Sequence, residues 1–350
     1  MIQCTTDTAV VILSYNGKEL HKKFLPLIVS ESKWLYDVVL IDNASTDNTY
    51  DYIRENFPSV QLVQHKINNG FAQGYHDGLQ QIKAKFYVLL SADFEVSPGW
   101  FTPLHSTIHS NESIAAVQPK ILYQKDKTLF EYAGAGGGFM DVWGYMFCRG
   151  RLFDNLEKDK NQYDDTVEIF WAGGGCFFVR ADLYHQFGGL DLDFYAHMEE
   201  IDLCWRMKNS GYKIAYNGMS TVYHVGGSVI SYGSPQKLFY NYRNSLSLLF
   251  KNEKTSKLLW LLPWRLVLDG VSAAPHLLRG EFASIGAILK AHLSFYGQVP
   301  SLLKKRQANK SLWQNRNMEG IYKKSIIAQY FIKKVKTSDQ LPDFNPKKLM

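Results

Sequence analysis

Along the amino-terminal part of the chain, short unbroken apolar runs alternate with segments of helical spacing. Residues 9–13 (Ala-Val-Val-Ile-Leu) form such a run, which stops at the polar Ser14-Tyr15-Asn16-Gly17. A run of this kind, without period-two alternation, fits a strand covered on both faces. Residues 18–32 then carry helical spacing, residues 37–41 form a second buried strand ending at the polar 42–47, and residues 48–57 continue as a helix. A third strand is expected over 60–64, before the turn Asn68-Asn69-Gly70, and a helix over 74–83 leads into a fourth strand at 86–90. Strands alternating with helices of this length predict right-handed βαβ units and a parallel sheet. Such sheets bind ligands at the carboxyl ends of their strands. The polar clusters at Ser14, Asp42, Asn68 and Ser91 are therefore expected to share one site.

Beyond Trp100 the pattern is less regular. Residues 115–123 read as a strand, 134–138 (Gly-Ala-Gly-Gly-Gly) as a mobile loop, and 145–160 as a polar stretch with little pattern. The glycine run follows no clear strand, and Phe139 stands where a third glycine is needed, which excludes a dinucleotide-binding fingerprint. Strand-like order returns over 170–180, interrupted by Gly173, Gly174 and Gly175; residues 181–187 read as a helix, and residues 199–210 as a helix with Gly211 at its C′ position. Two short strands are expected at 213–216 and 221–224.

The tail differs in kind. Residues 238–250 are helical in pattern, and residues 258–268 are the most apolar stretch, broken by Pro263 and Arg265 and shorter than the roughly 20 apolar residues of a membrane span. It fits either a helix lying in a membrane interface or a core helix packed on the first domain. Charge sharpens this: from Lys237 onward there are 20 Lys/Arg against 6 Asp/Glu, leaving 19 against 27 before it. A basic tail suits an anionic surface, and with no zinc-finger or helix-turn-helix signature a lipid surface is favoured over nucleic acid. The division expected is residues 1–236 as one catalytic domain and 237–350 as a helical, basic extension. Four scattered cysteines without Cys-x-x-Cys spacing read as buried reduced thiols, and the first residues lack a secretory pattern. Both features suit a cytoplasmic protein, peripheral at the inner face of the plasma membrane if the tail binds lipid.

The chemistry-bearing residues sit at these strand ends. Asp93, closing the fourth strand, is placed to hold Mg²⁺ or Mn²⁺ beneath a diphosphate, and His224, ending a late strand, could add an imidazole. Glu199 and Glu200 open a helix, where the macrodipole favours carboxylates, and Asp202 and Arg206 form an i,i+4 pair along it. Acidic helix starts are common without catalysis, yet two adjacent carboxylates allow one to be raised in pKa and act as a base.

The order of five segments is specific: Val-Val-Ile-Leu-Ser-Tyr-Asn (10–16), Ile-Asp-Asn-Ala-Ser-Thr-Asp (41–47), Asn-Asn-Gly-Phe-Ala-Gln-Gly (68–74), Leu-Leu-Ser-Ala-Asp (89–93), and Gly-Gly-Leu-Asp (188–191) followed by Glu-Glu-Ile-Asp-Leu-Cys-Trp-Arg (199–206). Over most of residues 9–227 the chain resembles glycosyltransferase family 2, in particular its bacterial rhamnosyltransferase-like members. The resemblance implies an α/β, Rossmann-like GT-A fold and inverting transfer of a sugar from a UDP- or dTDP-sugar to a glycan or lipid-linked acceptor. It implies that Ser14 and Tyr15, with Asn16 beside them, contact the base and that Asp42 binds base or ribose. Asn69, Gly70 and Phe71 would shape the donor pocket, Ser91, Ala92 and Asp93 would line it, and Asp93 with His224 would hold the divalent metal. Glu200 matches the family's general base and Glu199 the residue before it, while Gly173, Gly174 and Gly175 match an acceptor-side loop. Two positions depart from the pattern: Ser91-Ala92 replaces a segment that often carries a further Asp, implying a sparser metal site, and Glu199-Glu200 replaces the usual Glu-Asp, leaving the base open between the two. A non-catalytic nucleotide- or glycan-binding protein of the same fold is the alternative, and a nucleotidyltransferase is disfavoured for want of a Gly-rich, basic first loop.

Overall fold

The computed structural model describes residues 1–131, 134–226 and 234–349. Residue 227, which ends the matching segment, lies outside them.

The apolar runs become central strands because both faces are covered. Residues 9–12 of β1 (Thr8–Ser14) and 38–41 of β2 (Asp37–Asp42) are buried. Helices α1 (Lys18–Ser32), α2 (Thr49–Asn56) and α3 (Phe71–Leu79) connect these to β3 (Gln61–Gln64) and β4 (Phe86–Ser91). β1 pairs in parallel with both β2 and β4, and β2 with β3. The chain thus moves outward from β1 and then crosses to its other side, making a topological switch between β1 and β4. The crevice at their carboxyl ends is where an open α/β sheet takes its ligand. Ser14 stands level with Asp42, and Leu13 with Ser91.

Later strands extend the sheet in mixed sense. After β5 (Phe94–Val96) and α4 (Phe101–Ser110) come β6 (Ile114–Tyr123) and β7 (Asp126–Phe130). The run 134–138 is a tight buried turn rather than a mobile loop. Gly137 N–H donates to Gly134 O at 2.7 Å and Gly136 N–H to Arg149 O at 2.9 Å. A Cβ on Gly134 would lie 2.6 Å from the Gln118 side chain and one on Gly138 2.3 Å from Trp171, so packing explains these glycines. The unpatterned 145–160 joins β8 (Gly138–Asp141) in a small antiparallel meander with β9 (Met146–Cys148), β10 (Arg151–Leu152) and β11 (Asn155–Leu156). The stretch 170–180 divides into a loop and β13 (Cys176–Arg180), with β12 (Thr166–Ile169) before it. β13 inserts antiparallel between β4 and β6. α5 (Ala181–Gln186) and α6 (Glu199–Asn209) follow, and α6 ends at Gly211 with φ +94° as the cap pattern predicted. The two short strands expected near the end of the domain are one, β14 (Lys213–His224), with an irregularity between Asn217 and Thr221. The sheet order is β12-β14-β6-β13-β4-β1-β2-β3, with β7 on β6 and β5 on β14.

The tail packs on this sheet. α7 (Pro235–Asn252), α8 (Thr255–Ser272), α9 (Ala274–Leu278) and α10 (Phe282–Lys310) precede β15 (Ile321–Tyr322), which pairs with β8. The apolar stretch in α8 divides into two faces: Leu258, Leu261, Arg265 and Asp269 are buried, whereas Leu259, Trp260, Trp264 and Val267 are exposed. Among the described residues no helix is long and apolar enough to cross a membrane. The four cysteines are free and buried.

One buried ion pair ties α6, β12 and the tail together. Lys208 Nζ donates to Glu168 Oε1 at 2.9 Å and to Ile169 O at 3.2 Å, and Asn317 N–H donates to Lys208 O at 2.8 Å while its side chain reaches the same carboxylate. Removing one partner strands the other's charge in the interior. Glu168→Ala is expected to lower unfolding free energy by about 3–5 kcal/mol, measured by denaturant titration; unchanged stability would show that the joint is not closed.

Candidate active site

The first polar clusters are stitched to one another at the carboxyl edge. Ser14 is buried, with its Oγ 2.7 Å from His21 Nε2. Burial lowers the His21 pKa to about 4 against the pull of Asp47, so this ring is neutral. Tyr15 is 51% exposed and lies open over the edge. Asn16, at φ +52°, accepts from Thr46 N–H at 2.8 Å and its own N–H donates to Ser45 Oγ at 2.9 Å, so it fastens the second cluster to the first. Asp42 is fully buried, accepting from Ser45 N–H at 3.3 Å. Asn43 reaches the third cluster, donating to Asn68 Oδ1 at 2.8 Å and Gly70 O at 3.1 Å. Gly70 has φ +85°, a conformation that suits glycine. Phe71 packs edge-on against Tyr75, with ring centroids 5.0 Å apart. Asn69 lines a cleft of about 270 Å³ with Ala72, Gln73, Leu192 and Tyr195.

Asp93 and His224 meet just past the end of β4. Asp93 Oδ2 lies 3.2 Å from His224 Nε2, and Glu131 Oε2 lies 2.9 Å from Nδ1 of the same ring. The ring stacks on Phe94 at 4.5 Å, and β5–β14 pairing sets Phe94 opposite His224. Burial alone would favour the neutral ring, but the hydrogen bonds and charges of Asp93 and Glu131 prevail and raise its pKa to about 9. One carboxylate oxygen and one imidazole nitrogen so close can share a divalent cation in place of the proton between them. Glu131 would then orient the ring from its other nitrogen, as outer-shell carboxylates do. The donor set therefore fits a metal.

The glycine run joins this pair to the glutamates. Ser91 N–H donates to Gly175 O at 2.9 Å, and a Cβ on Gly175 would lie 2.4 Å from the Phe94 ring. Gly174 N–H donates to Glu200 Oε1 at 3.4 Å, and Gly173 N–H to Gln118 Oε1 at 2.7 Å. Ala92, partly buried, packs against the apolar core on the α1 and α4 side of the sheet. Oε2 of Glu199 and of Glu200 are both buried without a hydrogen-bond partner among the described residues. Burial, then the charge of Glu200, pushes the Glu199 carboxyl well above the usual range. Burial also raises Glu200, less far, because the backbone N–H groups of the helix start and of Gly174 favour its charged form.

What sequence reasoning missed lies around the turn before these glutamates. Tyr195, His197 and Met198 have φ of 64°, 69° and 73°. Left-handed non-glycine residues cost about 1–3 kcal/mol each and persist only where surroundings enforce them. Here α7 enforces them. Asn244 Nδ2 donates to Phe194 O at 3.2 Å, Ala196 O at 2.8 Å and His197 O at 2.7 Å. Arg243 adds a donation to Phe194 O at 2.8 Å, and Tyr240 stacks on Tyr195 at 5.5 Å. No motif around Asn244 announces this, because its partners are main-chain carbonyls far back in the chain.

With this geometry in view, the comparisons decide the family. A model of "Glycosyl transferase family 2" matches residues 9–187. The chain belongs to glycosyl transferase family 2. It is similar to the N-acetylglucosaminyl-diphospho-decaprenol L-rhamnosyltransferase of Mycobacterium tuberculosis, 22% identical over 231 residues that cover 61% of this chain and 75% of that one. A low-salt glycan biosynthesis hexosyltransferase of Haloferax volcanii is 20% identical over 212 residues, covering 59% of this chain and 64% of its own. Among solved structures, GalNAc-T7 with UDP, GalNAc and Mn²⁺ superposes at a TM-score of 0.54 and 17% identity, over 70% of this chain and about half (48%) of that one. The mannosyltransferase of Pyrobaculum calidifontis, in complex with GDP-Man and Mn²⁺, gives 0.51 at 15% identity over 88% and 87%. At these identities the structural likeness concerns the GT-A fold, which this family 2 glycosyltransferase shares.

The turn held by α7 generates a prediction. Asn244→Ala is expected to lower kcat for sugar transfer about 10- to 100-fold, the scale of a small misplacement of catalytic groups, with little change in donor KM. Asn244→Asp, which sets a carboxylate against three carbonyls, should be worse. Steady-state kinetics beside melting curves check this; wild-type kcat in Asn244→Ala would remove the side chain from any positioning role.

Proposed function

We propose that the chain is an inverting glycosyltransferase, moving a hexosyl or deoxyhexosyl group from a UDP- or dTDP-sugar to a hydroxyl of a glycan or lipid-linked acceptor in cell-surface polysaccharide synthesis. The observation that carries this reading is the convergence on one sheet edge of a raised carboxylate pair, Glu199 and Glu200, with Asp93 and His224, joined through Gly174 and Gly175.

In this reading Ser14, Tyr15 and Asp42 take the nucleoside, and Asn69, Gly70 and Phe71 border the sugar. Mg²⁺ or Mn²⁺, held by Asp93 and His224, would supply positive charge to the leaving diphosphate. Glu200 removes the acceptor hydroxyl proton as that oxygen bonds to the anomeric carbon; the bond to the diphosphate breaks, its electron pair leaves with the nucleoside diphosphate, and the configuration inverts. Glu199, the more strongly raised carboxyl, stays protonated and keeps a second negative charge away from the base. Two adjacent carboxylates whose environments push their pKa values apart take such separate roles.

The sign of the pH dependence follows. The base must be ionised, and burial raises its pKa, so turnover should climb with pH through a window above the ordinary carboxylate range of about 4.3 and then level off. Glu200→Gln should reduce transfer by at least about 100-fold and abolish that limb, whereas Glu199→Gln should keep most of the rate. Nucleoside diphosphate release across pH checks this; a large loss confined to Glu199→Gln would exchange the two roles, and an unaffected Glu200→Gln would reject the base.

A lipid-linked acceptor is supported by the tail. The hairpin of α8, α9 and α10 leaves Leu278 88%, Leu259 75%, Leu293 71% and Phe282 70% exposed, with Arg279 and Lys290 exposed near the tip. Apolar side chains so exposed, with cations among them, fit the interface of an anionic bilayer, where transfer would occur at the inner leaflet. The substitutions Leu278→Glu and Phe282→Glu together should abolish sedimentation with anionic liposomes and leave transfer to a soluble acceptor intact. Equal sedimentation of the variant would refute the docking.

A further inference from the structure

At the opposite edge of the sheet, the end where the strands begin, three further metal-ligating side chains converge. Asp7 directly precedes β1 and its carbonyl accepts from Lys85 and Phe86 N–H at 2.9 and 3.0 Å, which anchors it beside the start of β4. β1 separates it from Ser14 by roughly 20 Å, at about 3.3 Å per residue. His105 and His109 lie at i and i+4 on α4, one above the other on one face. Their ring centroids are 4.1 Å apart.

The distances suit a cation better than they suit hydrogen bonds. His105 Nε2 is 3.9 Å from Asp7 Oδ1, and His109 Nε2 is 3.6 Å from Asp7 Oδ2. Both exceed hydrogen-bond length. The three ligand atoms lie within 4.8 Å of one another. Ligands about 2.0–2.1 Å from a tetrahedral ion stand roughly 3.4 Å apart, so closure needs shifts of only a few tenths of an ångström to about an ångström. The supports are already in place. His109 Nδ1–H donates to His105 O at 2.9 Å, which leaves the Nε2 lone pair for coordination, as outer-shell carbonyls do for metal-bound imidazoles. Thr8 Oγ1–H donates to Asp7 Oδ1 at 2.9 Å, and the two rings rest on Phe86 and Phe101. Side-chain exposures of 31–40% give an ion access and leave room for water as the remaining ligand.

We propose that Asp7, His105 and His109 form a second divalent-metal site, distinct from Asp93 and His224, that takes a borderline-soft ion such as Zn²⁺ and staples α4 to the start of β1. Two imidazoles with one carboxylate favour Zn²⁺ over Mg²⁺.

The test is Zn²⁺ binding to the full chain, by calorimetry and by thermal melting with and without Zn²⁺, in an Asp93→Ala background that silences the other site. One Zn²⁺ per chain should still bind and raise the melting temperature. His109→Ala should weaken that binding by more than the 10- to 100-fold that loss of an outer-shell partner costs, and His105→Ala should do the same. In the otherwise unaltered chain, His109→Ala should leave sugar transfer unchanged, which separates this site from the catalytic reading. Absence of Zn²⁺ binding in Asp93→Ala, or affinity unchanged by both histidine substitutions, would overturn the proposal and leave an exposed His–Asp ion pair.

Discussion

The structure turns on how α7 grips the turn ahead of Glu199 and Glu200. Three left-handed residues in close succession would not persist in an unconstrained chain, since each costs about 1–3 kcal/mol. Asn244 offsets that strain by serving carbonyls at 194, 196 and 197. The glutamates can then open α6 facing the glycine run instead of solvent. The strain sits just ahead of the proposed catalytic glutamates, and α7, outside residues 9–187, completes the turn.

A second constraint is close approach. Gly175 must pass the Phe94 ring, which in turn stacks on His224, so one absent Cβ sets the spacing between the glutamate side and the Asp93 side. Gly74 and Gly78 act likewise on α3, where a Cβ would meet Leu13 at 2.9 Å and Ile41 at 2.2 Å. These glycines let α3 settle against β1 and β2, which brings Asn69 and Gly70 to the cleft.

Much of this was legible in the sequence, for reasons that differ by region. The apolar runs at β1, β2 and β4 are local signals, since covering both faces leaves no polar position, and their polar ends Ser14, Asp42 and Ser91 come to lie along one edge. Helix α3 begins earlier than its pattern suggested, at Phe71, because Gly70 supplies the turn; residues 82–83, read as helix, instead form a short strand with residues 2–3. The antiparallel insertion of β13 between β4 and β6 was not legible, because nothing local distinguishes an antiparallel partner from a parallel one. Glu131 went unnoticed as a partner of His224 because 93 positions separate them, and Asn244 because it binds backbone, which carries no residue signature. The mistaken reading of 134–138 as mobile came from treating glycine as a mark of freedom, when these glycines answer to Gln118, Ile169 and Trp171. In α8, an apolar stretch has one buried and one exposed face, so composition alone did not tell which residues pack on the core.

In the proposed mechanism α7 serves catalysis by holding the carboxylate pair. A double-mutant cycle between Asn244→Ala and Glu200→Gln, read in kcat, tests it most directly, because residues that act as a unit are not additive. The account predicts that the double variant transfers sugar no more slowly than Glu200→Gln alone. Losses that multiply across the two substitutions would contradict it.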